Sequence, residues 1–418
     1  MMSKQSAIIL ILVVFLGALG ALIYFYFTFN TTNGPQLPPV TNNNLDVYDP
    51  FGTRLVDSTP ASSTEIIENN PDYNAPTFST DKLRKIFEEP VASFSTIDKT
   101  DTNSAGVRYI LRSNGNIYEA YVDSTELKRM SIITIPKVYD SLWLADGEKV
   151  IIRYLKDESE NIDTFYIWLN PATTTLNEFE GGINGNHLPE NINSIAMNPA
   201  GTKLFFLTHN LTGSSGYLST PDGLSKTLIF QSPMNEWLIS WPKEQIITLT
   251  TKPSAKVSGF LYFLNNQTKN FSRIIGNING LTTKTNKTAT EVLYSDSSQS
   301  LLKLYVLNVQ TGESKLLPVS TLPEKCLWSN TDDKIIYCAV PKTFPVGDYP
   351  DIWYQGLATF TDSLWMINTN TMASTLVLDI KTDTANDLDI INPQLDNNDN
   401  YLFFINKKDL SLWNLKLK

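Results

Sequence analysis

The sequence predicts an all-β chain, a seven-bladed β-propeller of four-stranded blades closed into a ring by a strand from its N-terminal side. Three observations carry this expectation. Short apolar runs separated by turn-formers recur along most of the 418 residues. Candidate second strands and candidate third strands, counted separately, both number seven, although the weakest copies also fit six or eight. The last repeat ends one strand short, and a strand-like segment without a repeat of its own stands at residues 82–87.

The clearest unit spans residues 301–340. LYVLNV alternates large apolar residues with smaller or polar ones, the pattern of a strand with one packed face. Thr311-Gly312-Glu313 supplies a reversal, since glycine accepts the positive φ that tight turns need. SKLLPV reads as an outer strand, with Pro318 tolerated at an edge. CLW follows, then a turn over Asn330 to Asp333, then KIIYCAV, rich in β-branched and aromatic side chains. Four short strands per repeat fit a sandwich, a barrel or a propeller.

The repeat itself decides among these. Trp328-Ser329 leading into Asn330-Thr331-Asp332-Asp333 and Ile335 to Tyr337, with Leu304-Tyr305-Val306 and Gly312, resembles the TolB-type propeller repeat. Partial copies stand at Trp143 with Asp146-Gly147, at Asn198 to Gly201 with Leu204 to Phe206, and at Leu395 with Asn397 to Asn400 and Leu402 to Phe404. The resemblance implies a propeller over roughly the last four-fifths of the chain, with function exercised through partners. It names no ligand, because one fold hosts many functions.

In chain order, residues 1–6 form a short stub carrying Lys4, and residues 7–29 an uncharged apolar run. That run exceeds the roughly 20 residues needed to span a bilayer. Tyr24 and Tyr26 lie at its far end, and the next basic residue is Arg54, so the expectation is a single-pass anchor with a cytoplasmic N-terminus. A cleaved signal peptide is the competing reading, but the apolar run continues past Ala18-Leu19-Gly20. Residues 30–80, rich in Asn, Thr, Ser, Pro and Asp, read as an extended or disordered tether. Residues 81–418 form the propeller, placed outside the cytoplasm, extracellular or periplasmic.

Ring closure follows from the two ends. KLRKIF before EEPVASFSTI parallels KTLIF before QSPMNEWLISW, an outer strand leading into the next inner strand. LSLWNLKLK at the C-terminus reads as a third strand with no fourth after it. Residues 82–87 should therefore complete the last blade and remove an exposed edge.

The composition is 42% hydrophobic, 18% charged and 11% aromatic, enough for a large β-rich core. A net charge of −10 argues against nucleic acid as a partner, which requires a basic footprint. The two histidines, His187 in a Gly/Asn-rich loop and His209 just after a strand, have no zinc-site spacing. No nucleophile elbow, phosphate loop or dinucleotide fingerprint occurs, so no catalytic residue, metal or cofactor is expected. Asp396 to Asn400 has oxygen side chains like a calcium loop, but it lacks the Gly and distal Glu and falls on the repeat's own turn. Asp383, Asp387 and Asp389 read as a solvated loop.

Cys326 and Cys338 flank one hairpin. A five-residue turn sets them opposite one another and a four-residue turn puts them on opposite faces, so a disulfide and a pair of buried thiols both stay open. The connection between the second strand at Ile336 and the third at Leu364 is far longer than the usual two to five residues. It carries Phe344, Tyr349, Trp353, Tyr354 and Phe360, which suit either a partner contact or a loop folded back over the ring. It should share a face with the links between blades, including residues 181–193 and 379–389. The expected function is a non-enzymatic scaffold for an envelope protein or peptide, with a glycan also conceivable. The alternative is a propeller enzyme or carbohydrate-binding protein that uses the central channel.

Overall fold

Alternating apolar residues and Gly- or Asn-centred turns fold the chain into strands that assemble as seven four-stranded antiparallel sheets. The computed structural model describes residues 82–99, 104–131, 134–144, 147–156, 162–169, 185–298 and 302–418. The expected membrane span at residues 7–29 and the tether at residues 30–80 lie outside the described residues. Among the described residues no helix is long and apolar enough to cross a membrane.

Strand β1 (Leu83–Phe87) belongs to the last blade and is taken up below. Blade 1 contains β2 (Val91–Asp98), β3 (Ala105–Leu111), β4 (Ile117–Tyr121) and β5 (Leu127–Arg129). Blade 2 contains β6 (Val138–Trp143), β7 (Lys149–Leu155), β8 (Ile162–Trp168) and β9 (Gly185–His187). Blade 3 contains β10 (Ile192–Met197), β11 (Leu204–Asn210), β12 (Gly213–Ser219) and β13 (Lys226–Ser232). Blade 4 contains β14 (Trp237–Lys243), β15 (Ile246–Thr251), β16 (Ser258–Asn265) and β17 (Phe271–Asn279). Blade 5 contains β18 (Thr283–Thr285), β19 (Glu291–Asp296), β20 (Lys303–Asn308) and β21 (Ser314–Leu316). Blade 6 contains β22 (Cys326–Trp328), β23 (Ile335–Pro341), β24 (Asp362–Asn368) and β25 (Ser374–Leu378). Blade 7 contains β26 (Ile390–Leu395), β27 (Tyr401–Asn406) and β28 (Leu412–Lys416), completed by β1.

The second and third strands stand where the repeat places them, and the count of seven holds. First strands of neighbouring blades touch one another (β2 with β6, β10 with β14, β22 with β26), so they form the inner ring. The hydrophobic core is divided among the gaps between blades. Between blades 6 and 7, Leu327, Tyr337 and Leu364 pack against Ile390, Leu402, Phe404 and Trp413. Between blades 7 and 1, Phe403, Ile405 and Leu412 meet Val91, Val107 and Tyr109.

The ring closes as the two ends predicted. β1 pairs antiparallel with β28, Leu83 opposite Leu415 and Phe87 opposite Leu412. Its side chains serve both neighbours of that blade: Leu83 packs toward blade 6, and Ile86 and Phe87 toward blade 1. Arg84 reaches blade 1 as well, donating to the carbonyls of Tyr121 at 2.9 Å and Ser124 at 3.2 Å.

Two details differ from the sequence reading. Residues 181–193 are not simply a link, because β9 lies within them. His187 stands in this outer strand, its Nδ1 3.1 Å from Asp163 Oδ2 and its ring set against Phe165. His209 is part of β11 rather than just beyond it. A three-residue, exposed outer strand has too few positions to show an alternation, and the sequence reading missed it for that reason.

Candidate functional site

Two faces follow from the strand directions. Links from each outer strand to the next inner strand, and the loops joining second to third strands, emerge together on one face, called the link face here. Turns joining first to second and third to fourth strands emerge on the other, the turn face. The long aromatic connection, residues 342–361, therefore lies on the link face as predicted.

Those residues form a cap. The chain turns at a cis Tyr349–Pro350 bond into the short helix α1 (Asp351–Tyr354). Tyr349, Trp353 and Phe360 are buried, and Phe344 and Ile352 pack partly buried against them with Leu302 and Leu322 from blade 5 and its exit. The rings are in contact: Trp353 stacks on Phe360 at 6.1 Å and Phe344 meets Tyr349 edge-on at 5.5 Å. Tyr354 stays exposed and donates its hydroxyl hydrogen to Glu324. Most of the predicted aromatic set thus forms the inside of the cap, and Tyr354 lies on its outside.

The cap reaches across several blades. Asp351 accepts the Ala255 amide at 2.7 Å and Asp348 pairs with Lys256 at 2.7 Å, both on the blade 4 loop. Gly280, at φ +66°, lies directly below; a Cβ there would sit 2.7 Å from the Tyr349 carbonyl oxygen and 2.0 Å from Ser297 Oγ. Only glycine admits that approach. On the blade 7 side, the Lys407 amine donates to the carbonyls of Trp353 and Ala358 and lies 4.5 Å from the centre of the Trp353 ring.

Beneath the cap is a charged cluster that the sequence did not suggest. A short 3-10 turn, Pro323–Lys325, packs against the inner strands of blades 5, 6 and 7 and delivers Lys325. Its amine lies 2.7 Å from Asp362 Oδ2, 2.6 Å from Asp389 Oδ1 and 2.8 Å from the Ile390 carbonyl oxygen. All three charged side chains are fully buried. Asp389 Oδ2 accepts the Trp353 indole N–H at 3.1 Å and the Phe360 amide at 2.9 Å, which fastens the cap. Asp362 Oδ2 also accepts the Ile390 amide at 2.7 Å, while its Oδ1 is buried without a partner. Burial pushes the Asp362 carboxyl up to about 6; Lys325 opposes the rise and Asp389 adds to it. The reading of Asp389 as part of a solvated loop is corrected here. The residue ends a link, but the cap and two blades enclose it.

A second polar group lies at the inner ring. Lys284 of β18 is partly buried, and burial pushes its amine down to about 8 against the pull of Glu324. The Glu324 carboxyl is pushed up by burial, with an opposing hydrogen bond from Thr282 Oγ1 at 2.9 Å.

Cys326 and Cys338 are direct cross-strand partners, and the structure joins them in a disulfide between β22 and β23. They are 12 positions apart, so the bridge closes a short loop. Replacing both by Ala should cost about 2–4 kcal/mol, most of it through the unfolded chain. Denaturant curves of the double variant and of the reduced parent should coincide; a loss below about 0.5 kcal/mol would contradict this. The Asp396 to Asn400 segment is the first-to-second-strand turn of blade 7. Asp399 is buried and accepts from Ser329, Asn330 and Thr331 of blade 6, and these bonds outweigh burial and hold its carboxyl low. Among the described residues, no group of three or more His, Cys, Asp or Glu is placed to hold a metal ion.

No known family profile matches this chain, and no curated protein matches it either. Solved structures do resemble it. An oligogalacturonate lyase from Vibrio parahaemolyticus aligns with a TM-score of 0.50 at 12% identity, over 79% of this chain and 97% of that one. It shares the propeller fold. The β-propeller domain of the Trilobed protease from Pyrococcus furiosus gives 0.47 at 10% identity, over 80% of this chain and 97% of that one. TolB from Acinetobacter baumannii gives 0.42 at 12% identity, over 63% of this chain and 59% of that one. At these identities the likeness is one of fold, and it assigns no activity.

Proposed function

We propose that this protein is a membrane-anchored, extracytoplasmic scaffold that binds an envelope protein or peptide on its link face, without catalysing a reaction. The observation that carries this is where its exposed apolar side chains stand. Of the fifteen large hydrophobic residues exposed among the described residues, Val257, Val346, Tyr354 and Leu357 lie on the cap and on the blade 4 loop it pairs with. Leu155, Ile162, Leu211, Met234 and Leu238 stand on the same face, whereas Trp168, Leu224 and Phe271 stand at the turn face and Leu228, Leu316 and Leu376 along outer strands. Surface apolar residues gathered on one face mark an interaction surface, while scattered ones do not. The buried ring cluster gives the cap a rigid base, so these residues are presented in a fixed arrangement. The disulfide fits an oxidising compartment, and the apolar run at residues 7–29 fits an anchor.

The test is crosslinking and pull-down from cells carrying the intact protein. Val346→Asp with Leu357→Asp should reduce capture of the specific partner about tenfold or more, whereas Leu224→Asp on the opposite face should leave it unchanged. Equal capture by all three proteins would refute this placement. One observation favours a second reading, a small ligand in the channel: Lys284 at the inner ring, with its lowered amine beside Glu324. A carboxylate-bearing carbohydrate or an enzyme substrate would suit that amine, and Lys284→Met would then abolish binding while the docking variants would not.

A further inference from the structure

We propose that the Lys325–Asp362–Asp389 cluster is a proton-linked latch: a proton on Asp362 holds the cap closed, and its loss loosens the cap. The geometry supplies the reason. One ammonium lies between two carboxylates in a fully buried pocket. Asp389 is saturated by Lys325, the Trp353 indole and the Phe360 amide. Asp362 is not, because its Oδ1 faces no donor. A bare carboxylate oxygen away from water is costly, and a proton there removes the surplus charge while leaving the Lys325–Asp389 pair intact.

The charged groups around the pocket are few. Lys407 lies across the Trp353 ring with its amine bound to cap carbonyls, and Glu324 stands on the same turn as Lys325. Farther out, Lys342 pairs with Asp379, and Asp387 takes Thr361 and Lys408, so both ends of the cap are held by carboxylates kept below the ordinary range by those hydrogen bonds. Asp348 and Asp351 hold the cap to blade 4. The Asp379 and Asp387 contacts weaken in acid, whereas the latch works in the opposite sense.

The sign follows from linkage. In the closed form Asp362 is raised from 3.8 to about 6, and in an open, solvated form it returns toward the ordinary value. Between roughly pH 4 and 6 opening releases a proton, so the opening equilibrium grows by up to about tenfold per pH unit and levels off above about pH 6. The stabilisation is complete below the ordinary carboxylate value and is lost as the pH rises to that of the closed form.

The experiment is hydrogen–deuterium exchange of the intact protein from pH 4 to 8, read on peptides covering residues 342–361 and divided by the intrinsic exchange rate. The parent should show corrected exchange rising up to about tenfold per unit to about pH 6 and then flat. Asp362→Asn, neutral at every pH, should remove the rise, and Asp379→Asn should leave it in place. A flat parent profile, or the same rise in Asp362→Asn, would overturn the proposal. If Asp362→Asn does not fold, Glu324→Gln decides it: the rise should persist there, and its loss would assign the proton to Glu324 and overturn the proposal. The readout needs no partner, so it is independent of the docking role.

Discussion

Lys325→Met should destabilise the propeller by about 3–5 kcal/mol at neutral pH. The substitution keeps most of the side-chain volume and removes the cation that pairs with two buried carboxylates, Asp362 and Asp389. What remains is a like-charge pair away from water, and the cost arises from that remnant more than from the loss of an attractive contact. The deficit should shrink as the pH falls toward 4, because protonating the carboxylates removes the uncompensated charge. A combined Lys325→Met, Asp362→Asn, Asp389→Asn protein should recover most of the loss. Its amide oxygens still accept from the Ile390 amide, the Phe360 amide and the Trp353 indole, whose partners are carboxylate oxygens in the parent. Denaturant titrations at pH 7 and pH 4.5 measure all of this. A single-variant cost below about 1 kcal/mol would mean that water or a rearranged cap relieves the charges.

Deleting residues 83–87 from the otherwise full chain should abolish the folded monomer. Leu83, Ile86 and Phe87 are each less than 10% exposed, at 7%, 4% and 8%. Burying three such side chains contributes about 5–9 kcal/mol, comparable with the whole stability of a typical domain, about 5–15 kcal/mol. The deletion also uncovers β28 as a free edge beside an opened apolar gap, a template for pairing with other chains. Size-exclusion chromatography should show aggregates, and a peptide of residues 82–90 added during refolding should restore part of the monomer. A deletion protein that elutes as a monomer and melts at the parental temperature would show that blade 7 stands without β1.

The blades were legible in the sequence because their signal is local. LYVLNV, the Gly312 turn and KIIYCAV each state a strand or a reversal within six or seven residues, and repetition corrects for the weak copies. Closure by residues 82–87 was legible because a repeat with a missing part has a definite shape to fill. The register of Cys326 against Cys338 depended on one residue of turn length, which composition does not fix.

The charged cluster was not legible. Lys325, Asp362 and Asp389 are brought together only because each stands at the link-face end of a strand or link in adjacent blades. Residues flanking apolar strands read as solvated chemistry, and here the burial is created by a cap whose own course the sequence left open. The aromatic loop declared apolar surface needing cover, and the structure shows how it is divided: Tyr349, Trp353 and Phe360 inward, Tyr354 outward. In hindsight the only sign was the placing of Lys325 and Asp362 directly against the apolar runs CLW and SLWMI.

The pairing of β1 with β28 has a consequence for presentation. Outer strands run from the turn face to the link face, so β1 enters the ring at the turn face, where the Lys416 amide bonds the Lys82 carbonyl at 2.7 Å. The two ends of the described chain, Lys82 and Lys418, therefore stand near one corner, on the side away from the cap. The same corner is the place to attach a label, a bead or a fused domain when the link face must stay free.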